Sequence, residues 1–136
     1  MARAATQAAI LINGGAATAI HAFLSTYLSK SPSPPPSILY GASAALFGYA
    51  VGVCLGAWSM WCSSQASAKF GLRWETFLDY DMDPKKRKLA EDTYLNEGDR
   101  WLRRHRNSFT TSILLFFISS LTMASGFFVI AKSIPG

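Results

Sequence analysis

From Ile38 to Cys62 the chain runs 25 residues without a formal charge. At ~1.5 Å of rise per residue, a helix of that length reaches across the ~30 Å of hydrocarbon in a bilayer. Within the run, Gly41, Ala45, Gly48, Gly52 and Gly56 recur every three or four residues, which aligns them along one helical face. Leu46, Phe47, Tyr49, Val53 and Leu55 occupy the other sides. Association in lipid depends on packing, and a smooth face of this kind lets a second helix backbone come close. The run therefore predicts a membrane helix built to be packed against.

The charges support the same reading. All 8 acidic residues lie between Glu75 and Asp99, and most of the 13 Lys and Arg lie between Lys69 and Arg106; outside that block only Arg3, Lys30 and Lys132 are formally charged. A soluble domain spreads charge over its whole surface, so this partition predicts membrane segments flanking one solvated loop. Two more apolar runs complete the set. The first, about residues 5–28, is interrupted by Gln7, Asn13, Thr18 and His21. It reads as a retained span rather than a signal peptide, because Asn13-Gly14-Gly15 breaks the apolar stretch and only Arg3 precedes it. The last, residues 109–131, is uncharged and rich in Phe, Leu and Ile, with Ser112, Ser119 and Gly126 spaced seven apart as a small seam. The expected fold is all-α: a single integral membrane domain with three transmembrane helices (about 5–28, 38–62 and 109–131) and an amphipathic helical cytoplasmic loop, 63–108, between spans two and three.

The connections differ in kind. Lys30 to Ser37 reads KSPSPPPS, a short, stiff, extended turn that cannot continue a helix. In the long loop, Phe70, Trp74, Phe77 and Leu78 follow a helical period and predict a stretch lying on the membrane surface or against a partner helix. Gly71 is a candidate bend, and Asn96 to Gly98 a weak point. Asp83-Pro84 is a helix start, with an N-cap followed by proline in the first turn. The picture is a helical hairpin at the membrane surface. The positive-inside rule places this Lys/Arg-rich loop and the N-terminus in the cytoplasm and the C-terminus in the periplasm.

Chemistry-bearing motifs are scarce. There is no Ser-His-Asp set, HExxH or phosphate loop, and every carboxylate lies in one loop, so no catalytic residue, metal site or cofactor is assigned. Asp79, Asp81 and Asp83 resemble the start of a calcium loop, but Pro84 and Ala90 stand where glycine and glutamate are required. Cys54 and Cys62 are eight apart on one predicted helix, ~12 Å of rise, which is too far for a disulfide. In the first span, Asn13, Thr18 and His21 are intramembrane polar groups. Asn13 and His21 either hydrogen-bond to neighbouring helices and fix the packing, or His21 serves as a proton relay or pigment ligand; neither a second histidine nor a carboxylate stands near it in the sequence to speak for the latter. Two basic clusters bracket the loop helix: Lys85, Lys86, Arg87 and Lys88, then Arg100, Arg103, Arg104 and Arg106. They set topology and attract anionic headgroups. The loop's net charge of about +2 and the lack of a recognition motif speak against nucleic acid.

The segment Ile10-Leu11-Ile12-Asn13-Gly14-Gly15-Ala16-Ala17, continued to Phe23-Leu24, resembles the first helix of a group of small uncharacterised bacterial inner-membrane proteins. These combine a leading LxNGGAA helix with two later spans and a charged loop. The resemblance implies a retained first span and a bacterial inner membrane, and no activity, cofactor or site. Taken together, the sequence leads one to expect an interaction protein that self-associates as a homo-oligomer or joins a larger membrane complex. Its helix-packing residues would be Gly14, Gly41, Ala45, Gly48, Gly52, Gly56, Ser112, Ser119 and Gly126, and its lipid partners anionic. Two alternatives stand beside it: a holin-like or toxin-like membrane-permeabilising protein, and a cofactor-holding or proton-handling subunit dependent on His21. One small-residue face, on the first or second span, is expected to remain available to another subunit.

Overall fold

A computed structural model of the chain is all-α, with α1 at Ala2–Lys30, α2 at Pro36–Leu78 and α3 at Pro84–Ser133. It describes residues 2–30 and 35–133, with side chains at 4–30 and 35–125. All three helices are long and apolar enough to cross a membrane.

Local chemistry accounts for the helix ends. Pro35 is extended, with φ −55° and ψ 134°, close to polyproline geometry. Pro36 then opens α2, where its missing N–H costs nothing. The part of the proline-rich turn at 31–34 lies outside the described residues. At the far end, Asp79 accepts a hydrogen bond from Asp81 N through Oδ1, and Asp83 Oδ1 accepts from Lys85 N at 3.0 Å and Lys86 N at 3.2 Å. That is an N-cap ahead of a first-turn proline, as Asp83-Pro84 predicts. The aspartates thus serve the turn and the cap, and no group of three metal-ligating side chains occurs among the described residues.

The helices are longer than the apolar runs. Neither Gly71 nor Asn96–Gly98 interrupts them: α2 is continuous for 43 residues and α3 for 50. A helical glycine costs about 1 kcal/mol, too little to break a helix whose neighbours keep their bonds. The polar segment 63–107 is therefore the outer part of the same two helices, folded over at the turn 79–83.

α2 and α3 form an antiparallel hairpin with a constant register. Gly52 bonds Ser112 and Ser59 bonds His105, partners 60 and 46 residues apart. Both pairs centre on Met82, in the turn. α1 packs chiefly on α2 and touches α3 only briefly. It too is antiparallel to α2, with Ile10 at Gly56 and Asn13 at Gly52. In this register the N-terminus of α1 falls near Cys62. Three helices overlap along the apolar part, and beyond it α2 and α3 continue alone as a two-helix arm. From Cys62 to Leu78 that arm measures about 24 Å. The buried centre is Ile20, Ala42, Ala45 and Tyr49, with Phe116 and Met123 against it.

Candidate functional site

The glycine stripe is where the three helices meet. A Cβ at Gly48 would collide with Ser119 Oγ, one at Gly52 with the Asn13 side-chain amide, and one at Gly56 with Ile10 Cγ1 at 2.6 Å. At Gly41 the space ends 3.8 Å away at the carbonyl oxygen of Thr122. Ala45 is wholly buried. Both neighbours thus seat on one stripe, and every seat is filled from within the chain.

A polar chain crosses this junction. Asn13 Nδ2 donates to Ala9 O at 2.9 Å and to Ser112 Oγ at 3.4 Å, and Ser112 Oγ donates to Gly52 O at 2.8 Å. Asn13, Ser112 and Ser119 are all buried. Buried polar groups in an apolar surrounding need partners, and for Asn13 Nδ2 and Ser112 Oγ the helices supply them. Asn13 Oδ1 has no hydrogen-bond donor among the described residues; it lies against Gly52, where a hydrogen stands in place of a Cβ. Further along, Tyr49 Oη and Ser120 Oγ bond at 2.8 Å.

The other intramembrane polar residues are arranged differently. Thr18 is exposed and its Oγ1 bonds back to Gly14 O at 3.0 Å. Gly14 faces Val53 Cγ2 at 4.0 Å. His21 is exposed on α1 and is not part of the Asn13–Ser112 chain. Gly126 lies beyond the residues whose packing is described.

The buried imidazole is instead His105, which the sequence reading passed over. Its Nδ1 lies 2.7 Å from Ser59 Oγ and 3.0 Å from Ser59 O, while Ser59 Oγ donates to His105 O at 3.1 Å. A carbonyl only accepts, so Nδ1 carries the hydrogen in that contact. Phe109 stacks alongside at 6.3 Å. A Ser–His contact at 2.7 Å invites comparison with a nucleophile and its base, but Ser59 is fully buried and closed to substrate. The pair fastens α2 to α3 where the bundle gives way to the arm. Replacing His105 with Ala should destabilise the folded chain by about 2 kcal/mol. Ser59→Ala should cost only about 1, because Nδ1 keeps the Ser59 carbonyl. Equilibrium unfolding in mixed micelles measures both, and equal costs would refute the assigned geometry.

Above this pair the two basic clusters separate. Along continuous α3, Lys85 stands about 36 Å from Phe109. Lys85, Lys86 and Lys88 are exposed at the arm's tip, whereas Arg87 turns inward, donating from Nη2 to Met82 O at 3.1 Å. Arg100, Arg103, Arg104 and Arg106 form an exposed collar next to the bundle. Arg104 lies 4.7 Å over the Trp101 ring, Trp101 meets Trp61 edge-on at 5.0 Å, and Trp61 meets Trp58 at 4.8 Å. Indole rings favour the membrane–water interface, and this aromatic row stands at the end of the uncharged run of α2.

The arm holds together through Phe70, whose ring lies on Gly98, and through the ion pair Lys69–Glu97 at 2.7 Å. Its tip is less complete. Trp74, Phe77, Leu78, Tyr80 and Leu89 are 63%, 52%, 45%, 81% and 70% exposed. A notch of about 230 Å³ opens among Phe70, Arg73, Trp74, Phe77 and Glu91. No family model matches the chain, and no curated protein or solved structure is significantly similar to it.

Proposed function

We propose that the chain is a small integral membrane interaction protein, self-associating or an accessory subunit of a larger membrane complex, that engages its partner through the tip of the arm. The observation that carries this reading is the cluster of Trp74, Phe77, Leu78, Tyr80 and Leu89, left exposed on a segment that extends about 24 Å past the last residue of the apolar run. Apolar side chains grouped in water are costly and mark contact surfaces. The notch beside Trp74, flanked by Arg73 and Glu91, suits an apolar side chain from an amphipathic helix. The glycine stripe is filled from inside, which leaves the outer face of α1, including Gly15, where an added Cβ would meet no neighbouring helix within 4 Å among the described residues, as a second open surface for a neighbouring subunit within the membrane. The excess of Lys and Arg between Lys69 and Arg106 favours a cytoplasmic arm in a bacterial inner membrane.

A photo-crosslinking residue at Leu89, introduced into the full chain in native membranes, tests the proposal. The expected product is one discrete protein adduct, either a second copy or a single partner, lost when Trp74 and Phe77 are both replaced by Ser. Crosslinks to lipid alone, or adducts unchanged in the Ser variant, would refute a docking role for the tip.

A further inference from the structure

At the collar, α2 and α3 flank an open cleft of about 400 Å³ lined by Gln65 and Lys69 on one side and Glu97, Arg100, Trp101 and Arg104 on the other. Its charges are unbalanced. Glu97 is committed to Lys69 by the ion pair, the only one among the described residues. Arg100 and Arg104 therefore face the cleft with no carboxylate partner among those residues. The Trp101 ring holds the Arg104 guanidinium over its face at 4.7 Å, and Trp101 is itself braced on Trp61. A guanidinium stacked in this way keeps its planar fork of N–H donors oriented, the geometry that suits a phosphate.

The depth is also specific. In the hairpin register centred on Met82, Arg100 and Arg104 lie level with Ser64 and Met60, on either side of Cys62 at the end of the uncharged run. A cleft at the end of an apolar segment of that length falls at the headgroup side of the hydrocarbon. Lys86 and Lys88 at the tip lie about 18–21 Å from Arg100 along α3, roughly two Debye lengths. Arg103 and Arg106 line a separate concavity with His105 and Phe109.

We propose that this cleft is a binding site for the phosphate of an anionic phospholipid, with Arg100 and Arg104 as the charged donors and the Gln65 amide completing the cradle from α2. The acyl chains would run along the Trp58–Trp61 side toward the hydrocarbon. This site is independent of the arm's tip and of whatever the tip engages.

Native mass spectrometry of the full chain released from detergent micelles tests the assignment. The micelles are doped with phosphatidylglycerol or with phosphatidylcholine. The wild type should retain one phosphatidylglycerol per chain in clear preference to phosphatidylcholine. The R100Q/R104Q variant should lose about thirty-fold in phosphatidylglycerol affinity, from two near-surface charges. K86Q/K88Q removes the same charge at the tip, which the fold carries about 18–21 Å from Arg100 and so away from the headgroups that the sequence suggests for it, and should lose nothing. R100Q alone spares the Trp101 stack and should lose about five-fold, which keeps the test decisive if the double variant does not fold. Equal losses in the collar and tip variants would reduce the effect to net charge and overturn the site. So would an unchanged R100Q, or displacement of the lipid by millimolar inorganic phosphate, which would make free phosphate the ligand.

Discussion

Gly52→Ala should destabilise the bundle by about 2 kcal/mol, and the same change in an Asn13→Ala background should cost almost nothing. The added methyl would occupy the space of the Asn13 amide, which is anchored by Ala9 O and Ser112 Oγ and cannot move aside without breaking both bonds. Removing the amide removes the collision. The coupling between the two positions should therefore be of the order of 1–3 kcal/mol, as for residues in direct contact. Asn13→Ala alone has its own cost, since it strips a donor from Ser112. Gly71→Ala provides the contrast: nothing lies within 4 Å of a Cβ there, and the better helix former should gain about 0.5–1 kcal/mol. Unfolding in mixed micelles, followed by far-ultraviolet circular dichroism, reads all four variants against the wild type. If Gly52→Ala costs the same with and without the Asn13 amide, the close approach of α1 to α2 is misplaced.

The second large effect concerns the arm. Gly98→Leu should open it. Three atoms of the Phe70 ring stand 2.7, 2.9 and 3.0 Å from where a Cβ would be, so a branched side chain must drive the ring off its seat. An overpacking cost of about 2 kcal/mol corresponds to roughly thirty-fold more of the opened arm. Limited proteolysis at the Lys85–Lys88 run should accelerate accordingly, while the helices of the membrane bundle remain protected. An unchanged cleavage rate would show that Phe70 does not hold the arm closed.

Both predictions rest on glycines whose meaning sequence alone conveys unevenly. The stripe from Gly41 to Gly56 was legible as a packing face, because small residues at helical spacing in an uncharged run have few other uses. Which neighbour fills each seat was not, since that depends on how α1 and α3 are registered against α2. Gly98 read as a weak point because propensity treats glycine as a breaker, whereas here its lack of a side chain makes room for an aromatic ring. The third-span seam of Ser112 and Ser119 was also visible, but its partners Gly52 and Gly48 follow only once the hairpin is folded about Met82. The same fold-over is the missing signal for His105. A lone His21 in an apolar run drew attention, while His105 was hidden in a basic cluster among Arg103, Arg104 and Arg106. Counting equal distances from Met82, in the turn just ahead of Asp83-Pro84, sets it opposite Ser59. The aromatic row was half legible: Trp58 and Trp61 stood at the end of a span, and Trp101 joins them only through the hairpin.

The uninterrupted length of α2 and α3 has a mechanical consequence. No hinge intervenes between Pro36 and Leu78, or between Pro84 and Ser133, so the tip and the membrane bundle belong to the same pair of rods. The rods are clamped to each other at Phe70–Gly98, at Ser59–His105 and at Ser112–Gly52, and a helix resists bending far more than a loop does. A load applied at Trp74 or Leu89 would thus be delivered as tilt or twist inside the bilayer, at the seats that hold Ile10 and Asn13 of α1. The arm is a lever, and the first helix rides on its short end.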